Sequence, residues 1–333
     1  MGSADDGEQH PQGDAAPRRT FTAECSRCGA PLTVTRFQRE AVCDHCGATV
    51  FVDEAAVPRA RFARALRAWD EGATRAHGAE RCVWIADRPW AIGRRIGVGR
   101  RCEVWAATLA RDPTERVVVK VLAAGADAVA AQRLQHEQRV LEALVASEAP
   151  GAHHHARRLP AVVGAGVVAG AASPLEGRSA LVLRWCAGFV HTLVDVREHY
   201  PGGVLAEHVA WMWRRVLESL AFAHAAGWAH GALEAAHLLV HAKDHGVLPV
   251  AWGAAAPATP EARAADARAA ALAVAQVMDG AEVPAAMAAL VTEVVRHPAE
   301  HADAWALRER VGEVARACFG PPRFVPFPMP GWG

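Results

Sequence analysis

Apolar residues follow two different periods along the chain. Between residues 90 and 185 they come in short runs: Ala91–Ile96, Val104–Leu109, Val117–Val121, Val162–Val168 and Ala180–Trp185. Runs of this length, rich in valine and bounded by Gly, Asp and Pro, predict strands, with a glycine-rich turn after Ile96 and another turn at Asp112-Pro113. One stretch breaks the series: over residues 126–146, Leu134, Val140, Leu141 and Leu144 recur with helical spacing. Past residue 187 the helical period dominates. Leu205, Val209, Met212, Val216 and Leu220 predict a long helix, Val247–Val250 one more strand, and helical periodicity ends near Cys318. A strand-rich part followed by a helical part is an α+β arrangement.

The N-terminal pattern is shorter and carries chemistry. Pro31–Arg36, Ala41–Val42 and Thr49–Val52 predict short strands around Cys25-x2-Cys28 and Cys43-x2-Cys46, pairs separated by 14 residues. Each pair can place two thiolates on one tetrahedral zinc. Gly29 and Gly47 follow the pairs and permit the tight turn that points backbone amides at sulfur. This resembles a zinc ribbon over residues 20–54. A site with four cysteines is closed, so the zinc is expected to be structural. Residues 17–52 carry five Arg against three acidic residues, too small an excess to favour DNA. Residues 55–81 predict a connector helix: Pro58 suits its first turn, Phe62, Leu66 and Trp69 share a face, and Arg59, Arg61, Arg64 and Arg67 coat the rest.

Composition narrows the function. Hydrophobic residues are 52% of the 333, enough for a large core. Lys+Arg and Asp+Glu both number 36, a balance that disfavours nucleic-acid binding by bulk electrostatics. No apolar run reaches the length of a membrane span, and the acidic, polar start does not read as a signal peptide, so the expectation is a cytoplasmic chain away from the membrane. Only Lys120 and Lys243 are lysine. Such a bias, in a chain rich in Ala and Gly, fits a GC-rich bacterial genome and makes each surviving lysine informative.

Lys120 ends the strand Val117-Val118-Val119-Lys120-Val121, downstream of Gly97-Val98-Gly99-Arg100-Arg101-Cys102-Glu103-Val104. A dinucleotide fold would need a helix straight after that glycine turn, but Val104–Ala107 reads as strand. Glycine turn, strand, then a strand ending in Lys is similar to the small lobe of eukaryotic-type (bacterial Ser/Thr) protein kinases. The resemblance runs from about residue 85 to 318. Glu137 falls where that family's C helix places the lysine's partner, Cys186–Gly188 at the hinge between lobes, and His224, Gly227, His230, Leu233 and Leu239 fit its catalytic-loop pattern. The implied fold is bilobal, with a β-rich small lobe and a helical large lobe.

The resemblance also shows what is missing. The catalytic aspartate position holds Ala232, the lysine position Glu234, the metal-binding asparagine His237, and the Asp-Phe-Gly position Ala251-Trp252-Gly253. Imidazole is a poor magnesium ligand, and phosphoryl transfer depends on the metal clamp and the positioned base. Thr259-Pro260-Glu261 resembles the Ala-Pro-Glu motif and Asp266 the aspartate opening the F helix, with 12 residues between Gly253 and Asp266 where an active kinase fits a whole activation segment. The arginine that would read a phosphate there is Gly231. The implied class is a pseudokinase: a protein-binding or regulatory module whose partner is another protein. One alternative is a nucleotide-binding switch holding ATP without magnesium at Gly97, Gly99, Val104, Lys120 and Glu137; against it, Val118 narrows the pocket roof and Cys102 replaces the third loop glycine. A second alternative is a residual, unorthodox phosphotransferase.

The expected organisation is a disordered 1–19, zinc ribbon 20–54, connector 55–81, small lobe 82–186, large lobe 187–320 and a proline-aromatic tail 321–333. Five prolines make that tail extended, and Phe324, Phe327 and Trp332 give it enough apolar area to dock, either on its own large lobe or on a partner. His153-His154-His155 is expected in an exposed loop, Cys82, Cys102, Cys186 and Cys318 as buried thiols, and Trp211, Trp213 and Trp228 as packing in the large lobe.

Overall fold

A computed structural model describes residues 20–24, 31–35, 40–43, 48–51, 82–110, 112–156, 159–170 and 173–330. The chain divides into two compact units, residues 1–62 and 63–333. The expected disordered start and the connector 55–81 lie outside the described residues.

The first unit holds two hairpins. β1 (Thr20–Glu24) pairs antiparallel with β2 (Pro31–Thr35), and β3 (Glu40–Val42) with β4 (Thr49–Phe51). β1 was not legible as a strand: Thr-Phe-Thr-Ala-Glu carries only one large apolar residue, and its pairing with β2 defines it.

The second unit opens with a six-stranded antiparallel sheet: β5 (Cys82–Ile85), β6 (Arg88–Val98), β7 (Cys102–Leu109), β8 (Asp112–Leu122), β9 (Val162–Val167) and β10 (Ser179–Arg184), in the order β5-β6-β7-β8-β10-β9. β5 and β6 join through Ala86 and Asp87, both at positive φ (50° and 56°), the two-residue hairpin turn whose twist suits paired strands. Trp84 and Ala169 then exchange two backbone hydrogen bonds of 2.7 and 2.9 Å, curling the sheet until its two edges meet. Closure brings β9 against the Ala86 turn, where a Cβ on Gly164 would lie 3.1 Å from the Ala86 Cβ. The interior fills with alternating residues such as Val83, Ile85, Trp90, Val119, Val121 and Val182, all nearly inaccessible.

Several sequence expectations change here. Asp112-Pro113 does not form the turn by itself: β8 begins there, and Asp112 already pairs with Leu109 of β7. His153–His155 belong to a short helix, α2 (Ala152–His155), whose His155 ring stacks on Phe222 at 5.1 Å. The four cysteines are not buried thiols: Cys82 is exposed on the edge strand, and Cys102, Cys186 and Cys318 are half-buried.

α1 (Ala128–Val145) packs Leu134, Val140, Leu141 and Leu144 beneath the sheet, its N-terminus capped by Asp127. The remaining helices are α3 (Leu193–His199), α4 (Ala206–Ala225), α5 (Pro260–Met278), α6 (Ala285–Arg296) and α7 (Ala304–Phe319). α4 forms the centre of the large lobe through Val209, Met212, Val216 and Leu220; Leu205 stands before the helix as its N-cap residue and is 57% exposed. Trp211 and Trp213 pack in this core, and half-buried Trp228 meets the His136 ring edge-on. α5 is alanine-rich, and its inner side, including Ala267, Ala270, Ala271 and Val274, is buried against neighbouring helices that small side chains let approach closely. A three-stranded sheet lines the lobe's upper side: β11 (Phe189–Thr192), β13 (Leu238–His241) and β14 (Gly246–Pro249), in the order β11-β13-β14. β12 (Trp228–Ala229) pairs with β15 (Ala256–Pro257). No described helix is long and apolar enough to cross a membrane.

α4 and α7 are clasped by a buried charge cluster. Glu218 accepts from Arg215 Nη1 at 2.5 Å and from Arg308 Nε at 2.8 Å. Burial alone would raise the Glu218 pKa, but the two guanidiniums outweigh it and hold it at about 2. Burial also lowers His230, to about 4. Both groups have folded pKa values below their unfolded ones, so both stabilise at neutral pH and lose that contribution on acidification. His230 loses it between about pH 6.5 and 4, and Glu218 between about pH 4.5 and 2. Glu218 alone accounts for about 3 kcal/mol of acid sensitivity. Melting temperature measured against pH should therefore fall steadily below pH 6.5. In Glu218→Gln the part of that fall below pH 4.5 should largely vanish, on a lower overall plateau.

Candidate functional site

A cleft of about 1080 Å³ lies between the curled sheet and the large lobe. Its roof is the β6–β7 turn with Val104 and Val118, its back Lys120 and α1, its floor Leu239, Leu248 and Val250, and one side the strand β11 that follows the hinge. Every nucleotide-site residue expected from sequence lines it: Gly97, Gly99, Val104, Lys120 and Glu137.

Lys120 Nζ and Glu137 Oε2 stand 2.5 Å apart, with Glu137 only 3% exposed. β8 and α1 hold them there because α1 is pinned from below. Trp252 is buried beside it, its indole N–H donating to the Pro249 carbonyl at 3.2 Å. His136 Nε2 bonds the Ala255 carbonyl at 2.8 Å, and a Cβ on Gly253 would come within 2.9 Å of the Arg133 carbonyl. The helix cannot swing out without breaking the His136 bond and leaving its packing against Trp252 and Gly253.

The glycine turn is self-contained. Gly99 N–H donates to Cys102 O at 2.8 Å, so that amide closes the hairpin rather than facing a ligand. Gly97 and Gly99 have ordinary backbone angles with room for a Cβ, so the turn does not depend on glycine. Cys102 and Cys186 face the cleft, and burial pushes both thiols up, Cys186 to about 11, leaving them as unreactive thiols at neutral pH. Their place in the wall was not readable from spacing, since neither has a neighbouring ligand residue.

Below the cleft, Asp266 organises the loop. Its carboxylate accepts from the backbone N–H of His230 at 2.7 Å and of Gly231 at 3.0 Å, and from His224 Nε2 at 3.0 Å. Asp266 does not open a helix of its own: α5 starts at Pro260 with Thr259 as its N-cap, so the Thr-Pro-Glu segment and Asp266 belong to one continuous helix. Its carboxylate is therefore no first-turn dipole partner.

The positions that the kinase resemblance matches to base and metal ligands hold two alanines and a histidine. Ala232 and Ala251 carry no polar side chain. His237 Nδ1 donates to the Ala232 carbonyl at 2.7 Å and its Nε2 lies 3.3 Å from Glu234. Three carboxylates line the cleft, and each is engaged. Glu137 holds Lys120, Glu234 faces His237, and Asp195 caps α3 by accepting from Thr192 N–H and Thr192 Oγ1 at 2.6 and 2.8 Å. Magnesium, which takes carboxylate and other oxygen ligands, does not fit this donor set.

Past Gly253 the chain reaches Pro260 in six residues, 254–259, part of which pairs with β12. This short segment passes over Gly231. Gly231 has φ of 73°, and a Cβ there would sit 2.3 Å from the Ala254 carbonyl oxygen. No side chain fits where a phosphate-reading arginine would stand.

The proline-aromatic tail docks on its own large lobe. Phe324 stacks on His245 at 4.5 Å, and His245 stacks on Trp211. Phe327 is buried, stacked on Tyr200 at 5.3 Å and touching His208. Tyr200 Oη donates to the Pro328 carbonyl at 2.5 Å and His191 Nε2 to the Pro330 carbonyl at 2.9 Å. Met329 and Pro330 thereby become part of the cleft wall.

Of the expected metal ligands, Cys25, Cys28 and Cys46 lie outside the described residues. Cys43 follows β3 directly, is buried, and donates its N–H to the Ala48 carbonyl at 2.8 Å.

Solved structures share this fold. The kinase domain of a Toxoplasma gondii rhoptry antigen matches with a TM-score of 0.52 at 14% identity, covering 77% of this chain and 92% of that one. The PknI kinase domain of Mycobacterium tuberculosis matches at 19% identity and a TM-score of 0.49, covering 68% and 95%. No protein-family model and no curated protein matches the sequence. The fold is protein-kinase-like.

Proposed function

We propose that this chain is a pseudokinase: a protein-kinase-like module that transfers no phosphate and acts by binding another protein, carried beside a structural zinc ribbon. The observation that supports it most is the closed space at Gly231. A chain that lost only its base could keep the rest of the apparatus, but here the substrate-facing segment is shortened and occupies the room its phosphate reader needs. The empty donor set at Ala232, His237 and Ala251 agrees. Loss of a general base alone costs about 10²–10⁴-fold in rate, and loss of metal ligands adds several kcal/mol to the barrier. In a chromatographic assay with ATP and magnesium, ADP should not accumulate above the no-protein control; steady ADP release would count against the proposal.

For the ribbon, Cys25, Cys28, Cys43 and Cys46 would hold one zinc. The support is placement: one pair falls between the paired strands β1 and β2, the other between β3 and β4, the hairpin context that brings two thiolates together.

A second reading, an ATP switch without magnesium, has one specific support: the intact Lys120–Glu137 pair in a cleft that also carries Arg100, Arg101 and Arg133 and no uncommitted carboxylate. A thermal shift with millimolar ATP in EDTA should appear if it is right, and no shift would remove it.

A further inference from the structure

Four arginines meet where α4 packs against α7. Arg214 and Arg215 come from α4 and Arg308 and Arg316 from α7, where Arg308, Gly312 and Arg316 recur every fourth residue and so share a face. Gly312 is the point of contact. A Cβ there would lie 3.4 Å from the Arg214 guanidinium carbon and 3.6 Å from Arg316 Nη1, so the two guanidiniums converge over the same stretch of helix backbone. Glycine inside a helix weakens it relative to alanine, and here the room it leaves is taken by Arg214.

The charges in this cluster are unevenly settled. Glu218 pairs with Arg215 at 2.5 Å and with Arg308 at 2.7 Å, and Glu309 also pairs with Arg308. Among the described residues no carboxylate pairs with Arg214 or Arg316, although Glu313 stands exposed one residue past Gly312. Arg214 Nε is buried and has no hydrogen-bond partner. Burial, followed by the Arg308 charge, lowers the Arg214 pKa to about 10, and the attraction of Glu218 and Glu309 does not make up for it. Arg214 is half-buried and Arg316 exposed, which leaves the pair open to a solute.

The missing partner has a definable chemistry. Guanidiniums present forked N–H donors that match the oxygens of carboxylates and phosphates. Two neighbouring cations without counter-charges repel each other, and a dianion settles both where a carboxylate settles one.

We propose that Arg214 and Arg316 hold a phosphate dianion, free or as a monoester, over Gly312. Neither residue lines the cleft, so this is a second site, and it does not depend on the pseudokinase reading.

Calorimetric titration of the full chain with inorganic phosphate, and separately with O-phosphoserine, at constant ionic strength and mildly alkaline pH tests it. Saturable binding is expected. Arg316→Gln changes an exposed residue, so the fold should hold, and binding should weaken about 10–100-fold. Tighter binding of phosphoserine assigns a monoester as the ligand, and tighter binding of phosphate the free ion. Lys120→Ala, which alters the cleft, should bind as the parent does. No saturable binding of either compound, undiminished binding by Arg316→Gln, or binding that Lys120→Ala abolishes would overturn the inference.

Discussion

Restoring the missing arginine at position 231 should damage the fold, not repair an activity. Gly231→Arg puts a side chain on a residue with φ of 73°, and its Cβ falls 2.3 Å from the Ala254 carbonyl oxygen. The left-handed backbone costs about 1–2 kcal/mol for a residue with a Cβ. Forcing the 254–259 segment aside adds about 1–3 kcal/mol of overpacking. That segment has little freedom to yield, since Ala255 bonds His136 and Ala256 pairs with Ala229. The sum, about 4 kcal/mol, should lower the melting temperature by about 10 °C in a domain of this size. Ala232→Asp is the contrast. Its side chain lines the open cleft, so it should melt within a few degrees of the parent. If Gly231→Arg melts like Ala232→Asp, the short segment does not lie where it is described.

Withdrawal of zinc should have an equally large effect, confined to the N-terminal unit. Two short hairpins bury too little apolar surface to fold by themselves, and structural zinc sites supply on the order of 10–16 kcal/mol of apparent binding energy at neutral pH. Elemental analysis should find about one zinc per chain, as expected of a single closed four-cysteine site. Chelation, or Cys28→Ser, should release the metal and make residues 20–54 sensitive to protease while the kinase-like unit keeps its melting transition. A protease-resistant N-terminal unit without metal would contradict this.

The kinase-like order was legible because several independent signals fell in sequence: strand runs, the helix carrying Glu137, and the His224-to-Leu239 spacing. The structure brings Lys120 and Glu137 together as that order implies. Other features depend on distant partners and left no local mark. β5 is four residues, Cys-Val-Trp-Ile, and gains its role only when Trp84 meets Ala169. The continuous helix α5 did leave a mark, since Thr259-Pro260 is a standard N-cap and first-turn pair. The tail's aromatic load predicted docking, but that it would dock in cis and wall the cleft followed from Tyr200, His191 and His245, which are scattered through the large lobe.

The most direct measurement of the central proposal is transfer of radiolabelled γ-phosphate from ATP, with magnesium and separately with manganese, to the chain itself and to a generic protein substrate. The parent and Lys120→Ala are compared side by side. No incorporation in the parent above Lys120→Ala is expected. Incorporation by the parent that Lys120→Ala abolishes would contradict it.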